Sequence, residues 1–195
     1  MAHSHEAHDH DACCVADSNP SVRQTLNEME FERGIWYAAL SDDQERVEKL
    51  LRNGAPVNGE DSAGYRPLHY AARNAHPRVC EMLLRHDADV TARTRCGRAT
   101  ALHRAATRGR ADVVELLLRH GADANLTDAD GNNALHRALV GRAPAVCKLL
   151  IPRTDLTVSD NFGCSVEELA RQNCAELLPL IASYTKKEEP EEEQD

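Results

Sequence analysis

Gly64-Tyr65-Arg66-Pro67-Leu68-His69-Tyr70-Ala71-Ala72 is the stretch that decides the fold, because two later stretches restate it. The first restatement is Gly97-Arg98-Ala99-Thr100-Ala101-Leu102-His103, and the second is Gly131-Asn132-Asn133-Ala134-Leu135-His136. The glycines lie 33 and 34 residues apart, and Gly163 follows 32 residues later. A period of this length is typical of stacked supersecondary units, so we predict a repeat array.

A second landmark recurs with the same period. It consists of two leucines, two polar residues and then Gly-Ala, at residues 50–55 and 117–122, with Asp87 in place of the glycine at residues 83–88. This order is typical of a helix end, because glycine adopts the left-handed conformation that caps a helix. Each unit is therefore predicted to contain a turn, a short helix, a longer helix and a stop.

Together, the pattern G-x-x-x-L-H-x-A-A and the following L-L-x-x-G-A-D-x-N resemble the ankyrin repeat. The resemblance implies an all-α repeat solenoid, an array of helix-turn-helix units with short β-hairpin fingers. We expect an ankyrin repeat domain at residues 21–184, between a disordered N-terminal tail (1–20) and a disordered acidic C-terminal tail (185–195). The domain divides into an N-cap, three repeats and a C-cap, at residues 21–60, 61–93, 94–127, 128–159 and 160–184.

The acidic charge of the chain is concentrated in its tails. The whole chain has 23 Lys and Arg residues against 32 Asp and Glu, for a formal net charge of −9. Residues 1–20 contain no Lys or Arg, and residues 185–195 are rich in glutamate, which leaves about −1 for the residues between them. An acidic protein is repelled by phosphate backbones, so nucleic acid is disfavoured as a partner.

The sequence also predicts where the protein resides. It contains no apolar run near the roughly 20 residues that span a bilayer, and it does not start like a secretory signal. The seven cysteines are an odd number and favour free thiols in a reducing compartment over a disulfide framework. We therefore expect a cytoplasmic or nuclear protein, or one found in both places, without a membrane segment.

The N-terminal tail carries six residues that commonly bind metals. Their spacing matches no structural zinc site built from paired C-x-x-C or H-x-x-x-H elements, so a solvated tail is the favoured interpretation. The alternative is a metal-responsive protein whose tail binds zinc, copper or nickel through His3, His5, His8, His10, Cys13 and Cys14.

Three further histidines, His69, His103 and His136, occur once in each repeat. Packed helices lie about 8–10 Å apart, so these imidazoles cannot converge on one metal ion. In the ankyrin family this histidine connects adjacent repeats through hydrogen bonds to the backbone, and the resemblance implies that structural role here. The chain has no G-x-S-x-G, P-loop or H-E-x-x-H motif, so we predict neither an enzyme nor a cofactor.

Ankyrin proteins usually bind partners on a concave face formed by the finger tips and the first helices. The resemblance implies that this face contains Tyr65, Tyr70, Arg73, Asn74, Arg95, Arg98, Arg104, Thr107, Arg108, Asn132 and Arg137. Arginine and tyrosine are common in interface hot spots. We therefore predict a non-enzymatic interaction module, an adaptor or scaffold that is monomeric alone and whose groove binds an acidic or phosphorylated protein segment.

Two other interpretations of this arginine-rich face remain open. The arginines can be solvated, or paired with acidic residues of neighbouring repeats, in which case they contribute little to binding. The acidic C-terminal tail can also fold over the groove and compete with a partner.

Overall fold

The computed structural model describes residues 33–185, and these residues contain ten α-helices and two short 3-10 helices. In chain order, the α-helices are α1 (Ile35–Leu40), α2 (Gln44–Arg52), α3 (Pro67–Asn74), α4 (Pro77–Arg85), α5 (Ala101–Thr107), α6 (Ala111–Arg119), α7 (Ala134–Val140), α8 (Pro144–Leu150), α9 (Val166–Asn173) and α10 (Leu178–Thr185). The 3-10 helices are Ile151–Arg153 and Ala175–Leu177. The predicted repetition of short and longer helices is confirmed.

The odd-numbered helices α1 to α9 stack directly on one another, and α2, α4, α6 and α8 stack beside them as a second layer. We call these the first helices and the second helices. Alanine makes the close stacking possible, since Ala71, Ala72, Ala105 and Ala138 are completely buried at the contacts between first helices. Leucines such as Leu117 fill the space between the two layers. The core is therefore continuous along the array rather than centred in one place.

The fingers between units are turns, and the part of the chain that the structure describes has no regular strand. One backbone hydrogen bond of 2.9–3.1 Å closes each finger, donated by the amides of Asp61, Thr94, Asp128 and Asp160. In three fingers the aspartate carboxylate also accepts hydrogen bonds from the amides two and four residues later. This bonding is characteristic of an aspartate that stabilises a turn.

The third unit has one residue more between Gly97 and His103 than its neighbours, which predicts a bulged finger. The structure places Arg98 at this point with a φ of 49°, in the left-handed region. Thr94 replaces the turn aspartate here, and its hydroxyl oxygen accepts a hydrogen bond from the amide of Ala99 at 3.1 Å. The Arg98 side chain at this bulge is exposed.

The helix ends follow the sequence signals. Gly121 ends its unit with a φ of 85°, and Asp87 adopts a φ of 62° at the equivalent position. In the fourth unit α8 ends at Leu150, and Pro152 lies in the following 3-10 helix. Ser165 caps α9, since its hydroxyl oxygen accepts a hydrogen bond from the amide of Glu168 at 3.2 Å.

Several predictions lie outside residues 33–185, among them the His/Cys tail, the acidic C-terminal tail and the start of the N-cap. The boundaries of the individual units stay predictions. Within the described range no helix is both long and apolar enough to cross a membrane. The expected free thiols occur at Cys80, Cys147, Cys164 and Cys174. The expectation is wrong for Cys96, which is disulfide-bonded.

Candidate functional site

The candidate site is the inner face, which we define as the exposed residues of the first helices together with the finger tips. The residue that follows the buried histidine is Tyr70 in the second unit, Arg104 in the third and Arg137 in the fourth. All three side chains are half-buried. The array therefore places them in a row along one side of the first helices, since equivalent helical positions share a face.

Arg137 belongs to an ion-pair network inside its own unit. Its Nε donates to Asp128 Oδ2 at 2.6 Å, and its Nη2 donates to Asp130 Oδ2 at 2.8 Å. The side chain of Asp128 is only 1% exposed, so the guanidinium compensates a buried carboxylate. The positive charge of Arg137 is therefore largely neutralised before any partner binds.

Arg104 and Tyr70 are both held by Tyr65, which is 7% exposed. The Arg104 guanidinium carbon lies 5.0 Å from the centroid of the Tyr65 ring, and Arg104 Nη2 donates a hydrogen bond to the Tyr65 hydroxyl. The ring centroids of Tyr65 and Tyr70 are 5.4 Å apart. These contacts connect the second unit to the third, as expected of stacked rings and cation–π pairs.

The hydroxyl of Tyr70 donates a hydrogen bond to Asp61 Oδ2. Burial raises the pKa of Tyr70 well above its usual value, and this hydrogen bond raises it further. The hydroxyl therefore stays protonated and keeps its bond to the finger of the second unit. Both tyrosines predicted for the binding face thus take part in internal contacts.

Arg95 is the second arginine of the predicted face described with an acidic partner. Its Nη2 lies 3.3 Å from Glu60 Oε2, and Glu60 Oε1 also lies 3.3 Å from Arg66 Nη2. The Arg95 side chain is 67% exposed, and exposed pairs of this kind contribute little to stability. A partner can therefore compete for Arg95 at small cost.

Arg98 and Arg108 are exposed, and neither side chain makes a hydrogen bond or an ion pair within residues 33–185. Arg110, which the sequence did not assign to the site, shares this property. Arg110 lies at the N-cap of α6, a second helix, and the binding face was predicted from first helices and finger tips. Arg108 and Arg110 nevertheless line one cleft of about 420 Å³ with Leu40, Tyr70, Arg73 and Asn74.

The remaining predicted residues are divided between surface and interior. Thr107 is exposed, and its hydroxyl donates to the carbonyl of His103 at 2.8 Å. Asn74 is half-buried, and its Nδ2 donates to the carbonyl of Tyr70 at 3.1 Å. Asn132 is buried, so its side chain is not available on the inner face.

Two apolar residues are exposed on the inner face, of which Val140 was expected there from the resemblance and Phe162 was missed in the sequence. Phe162, at the tip of the last finger, is 71% exposed. Val140, at the end of α7, is 36% exposed. The signal for Phe162 was its place directly before Gly163, the position of finger-tip residues in the other units. Both residues add apolar area to the C-terminal part of the inner face.

The buried histidines contact the next unit. His69 Nε2 lies 3.1 Å from the carbonyl of Ala92, and His103 Nε2 lies 3.0 Å from the carbonyl of Asn132. A carbonyl only accepts, so Nε2 carries the proton in both rings. Nδ1 is then the acceptor, and it receives the amide hydrogen of the residue three positions earlier. The geometry supports the inter-repeat role that the resemblance implied.

His136 differs from the other two histidines. Its Nδ1 lies 2.7 Å from Asn133 Oδ1, so this nitrogen donates. Its Nε2 faces the carbonyls of Val158 and Cys164 without an ordinary hydrogen bond to either. His136 thus also faces backbone carbonyls of the following unit, which raise its pKa against the effect of burial.

Burial lowers the pKa of His69 and of His103 to about 4, although backbone carbonyls act in the opposite direction. Burial also lowers the pKa of His136. A charged imidazole would lose its hydration in these positions, so the neutral form is favoured. These histidines are neutral at physiological pH and do not add to the positive charge of the inner face.

Metal binding has no support in the described part of the chain, since no three His, Cys, Asp or Glu residues between 33 and 185 cluster as metal ligands would. The predicted ligands His3, His5, His8, His10, Cys13 and Cys14 lie outside that range.

The sequence is similar to known proteins that contain repeats of this kind. A family model of ankyrin repeats (three copies) matches residues 10–94 and 92–160. "Ankyrin repeat domain-containing protein 39" of Homo sapiens is 50% identical over 86 residues, which cover 42% of this chain and 45% of that protein. The Bos taurus protein of the same name is 47% identical over 76 residues, which cover 39% of this chain and 42% of that protein.

A more distant match is the "2-5A-dependent ribonuclease" of Homo sapiens. It is 39% identical over 61 residues, which cover 31% of this chain but only 8% of that protein. The matched segment is less than half the length of each of these three relatives. The likeness therefore concerns the repeats.

Proposed function

The chain belongs to the ankyrin repeat family, and from that premise we propose that it is a non-enzymatic protein-interaction module, an adaptor or scaffold. Proteins built from these repeats generally bind other proteins, and their surfaces are suited to it because stacked units form extended faces. We place the binding surface on the inner face. The observation that carries this proposal is the exposure of Arg98, Arg108 and Arg110, which have no partner within residues 33–185.

On the second helices two exposed arginines are paired within their own helix, whereas Arg78 and Arg119 have no ion pair in the part of the chain that the structure describes. Arg52 pairs with Glu48, and Arg85 pairs with Glu81 at 2.6 Å. These pairs join residues four positions apart on the same helix, where opposite charges are local neighbours. The second helices thus neutralise part of their positive charge through ion pairs within each helix. On the inner face of the third unit Arg95 pairs with Glu60, whereas the side chains of Arg98, Arg108 and Arg110 have no ion pair within residues 33–185 and offer guanidinium groups to a ligand.

The partner proposed for this face is an acidic or phosphorylated protein segment. Guanidinium groups form paired hydrogen bonds with carboxylate and phosphate oxygens, and these bonds are stronger than neutral ones. Phe162 and Val140 supply apolar area farther along the inner face, where Arg137 is already neutralised. A ligand that follows the face would therefore meet positive charge in the third unit and apolar area toward the C-cap.

Affinity purification from cells tests the proposal with two matched variants. The inner variant carries Arg98→Glu, Arg108→Glu and Arg110→Glu, and the outer variant carries Arg78→Glu, Arg85→Glu and Arg119→Glu. Both change the net charge equally and replace exposed residues. We expect partner proteins to be lost from the inner variant and retained by the outer variant, provided circular dichroism shows that both are folded. Equal retention by the two variants would contradict the proposal.

A further inference from the structure

We propose that the cleft lined by Arg73, Arg108 and Arg110 is a subsite for a phosphorylated side chain of the partner. This inference rests on the proposed function and assigns one part of the inner face to one chemical group. The cleft has a volume of about 420 Å³, and Leu40, Tyr70 and Asn74 complete its lining. It lies where the C-terminal ends of α1 and α3 meet the connection between α5 and α6. Below, we call it the arginine cleft.

The arginine cleft brings together three cations from two units. Arg73 comes four residues after the buried histidine of the second unit, whereas Arg108 and Arg110 come five and seven residues after that of the third. Arg73 is close enough to Tyr70 for its charge to oppose the rise in the pKa of that tyrosine. Arg108 and Arg110 have no ion-pair partner in residues 33–185. Stacking of the units, rather than one helix, therefore creates the concentration of positive charge.

The same positions in the next unit are occupied by uncharged residues. One unit farther along the array, the positions equivalent to Arg73, Arg108 and Arg110 are Thr107, Gly141 and Ala143. Two arginines of the fourth unit lie near these positions in the sequence: Arg137 is bound to two carboxylates, and Arg142 is exposed. The arginine cleft is therefore a local feature of the second and third units and does not repeat along the array.

The charge and size of the cleft favour a phosphoryl group over a carboxylate. A phosphorylated side chain carries about −1.5 to −2 charges at neutral pH and three strong acceptor oxygens, so it can bond to more than one guanidinium. One carboxylate has a single charge and matches one arginine fork. The volume also falls within the range of ligand pockets, about 300–1,000 Å³. Leu40 and the Tyr70 ring supply apolar wall for the stem or ring that carries the phosphate.

Titration of the full isotope-labelled chain with phenyl phosphate, followed by backbone amide resonances in NMR, tests this inference. We expect saturable shifts at Tyr70, Asn74 and Arg108, and at least tenfold weaker binding of benzoate, which has a carboxylate in place of the phosphate. The variant Arg73→Gln, Arg108→Gln, Arg110→Gln should weaken phenyl phosphate binding at least tenfold. The matched control Arg78→Gln, Arg85→Gln, Arg119→Gln should bind within about twofold of wild type. Glutamine removes the charge while it preserves helix propensity.

Three results would overturn the inference: shifts that map outside the cleft, equal binding of benzoate, or binding that survives in the cleft variant. If phenyl phosphate binds only after residues 186–195 are deleted, the cleft serves the acidic tail of the chain and the proposed occupant is wrong. Failure here can be distinguished from failure of the proposed function. If the Arg98, Arg108, Arg110 variant loses partners in cells while phenyl phosphate fails to bind, the inner face binds a partner without this subsite.

Discussion

Acidification is expected to destabilise the array through its buried histidines. The pKa values of His69 and His103 are about 4 in the folded chain against 6.5 for a solvated histidine. Below pH 6.5 these histidines bind protons in the unfolded chain but not in the folded chain. The free energy of unfolding therefore falls as the pH falls from about 6.5 to 4. Between pH 7 and pH 5 the free energy of unfolding should fall by about 2 kcal/mol for each histidine, or about 4 kcal/mol for the two. His136 acts in the same direction.

Aspartates act in a lower pH range. The pKa values of Asp89 and Asp155 are lowered, chiefly by the bonds that each carboxylate accepts from a threonine two residues later. Their contribution to stability is present above pH 4 and is lost as the pH falls through their folded pKa values. The loss of stability between pH 7 and pH 5 therefore reports on the histidines.

Urea unfolding followed by far-ultraviolet circular dichroism at pH 7, 6 and 5 measures this effect. The free energy of unfolding should change by about 2.5 kcal/mol per pH unit near pH 5 from His69 and His103 together. His103→Gln should remove about half of that slope, because glutamine does not titrate. Val113→Ala is the matched control, since it lowers stability by opening a cavity without removing a titratable group. A flat wild-type profile, or an unchanged slope in His103→Gln, would refute the reasoning.

Three substitutions test the turns and the buried ion pair by thermal unfolding. Gly131→Ala should lower the free energy of unfolding by roughly 1–3 kcal/mol more than Gly121→Ala does. Both glycines have positive φ, but only at Gly131 would a Cβ lie 2.9 Å from a backbone nitrogen of the next finger. Equal losses of stability in the two variants would contradict this. Arg137→Gln should lower the free energy of unfolding by about 1–3 kcal/mol, because the buried Asp128 carboxylate loses its partner. An unchanged melting temperature would mean that the ion pair does not stabilise the fold. Asp87→Gly should stabilise by up to about 1 kcal/mol, because its φ of 62° suits glycine; a lower melting temperature would contradict this.

The fold could be predicted from the sequence because its determinants are local and repeated. The period of the glycines, the capping residue Ser165 and the proline after α8 each act within a few residues. The bulge at Arg98 followed from counting one extra residue between fixed landmarks. The predicted short fingers are closed by backbone hydrogen bonds across tight turns, and in the described residues their only β-pairing is the isolated bridge between Ser159 and Ser165.

The site was less predictable, because charge compensation depends on which side chains the folded turns bring together. Arg137 was expected to be available, but the turn aspartate Asp128 lies nine residues earlier and bonds to it. That pairing had a signal in the sequence, an acidic residue three positions before Gly131. Arg110 had no such signal, since its entry into the cleft depends on how the end of α5 packs against the preceding unit.

Site-specific photocrosslinking tests most directly whether the inner face is the binding surface. A photoreactive amino acid is placed at Thr107 or Val140, which are exposed at the ends of first helices, or at Glu115 or Lys148, which are exposed on second helices. We expect partner proteins to be captured in cells from the two inner positions and not from the two outer ones. Capture from Glu115 or Lys148, with none from Thr107 or Val140, would contradict it.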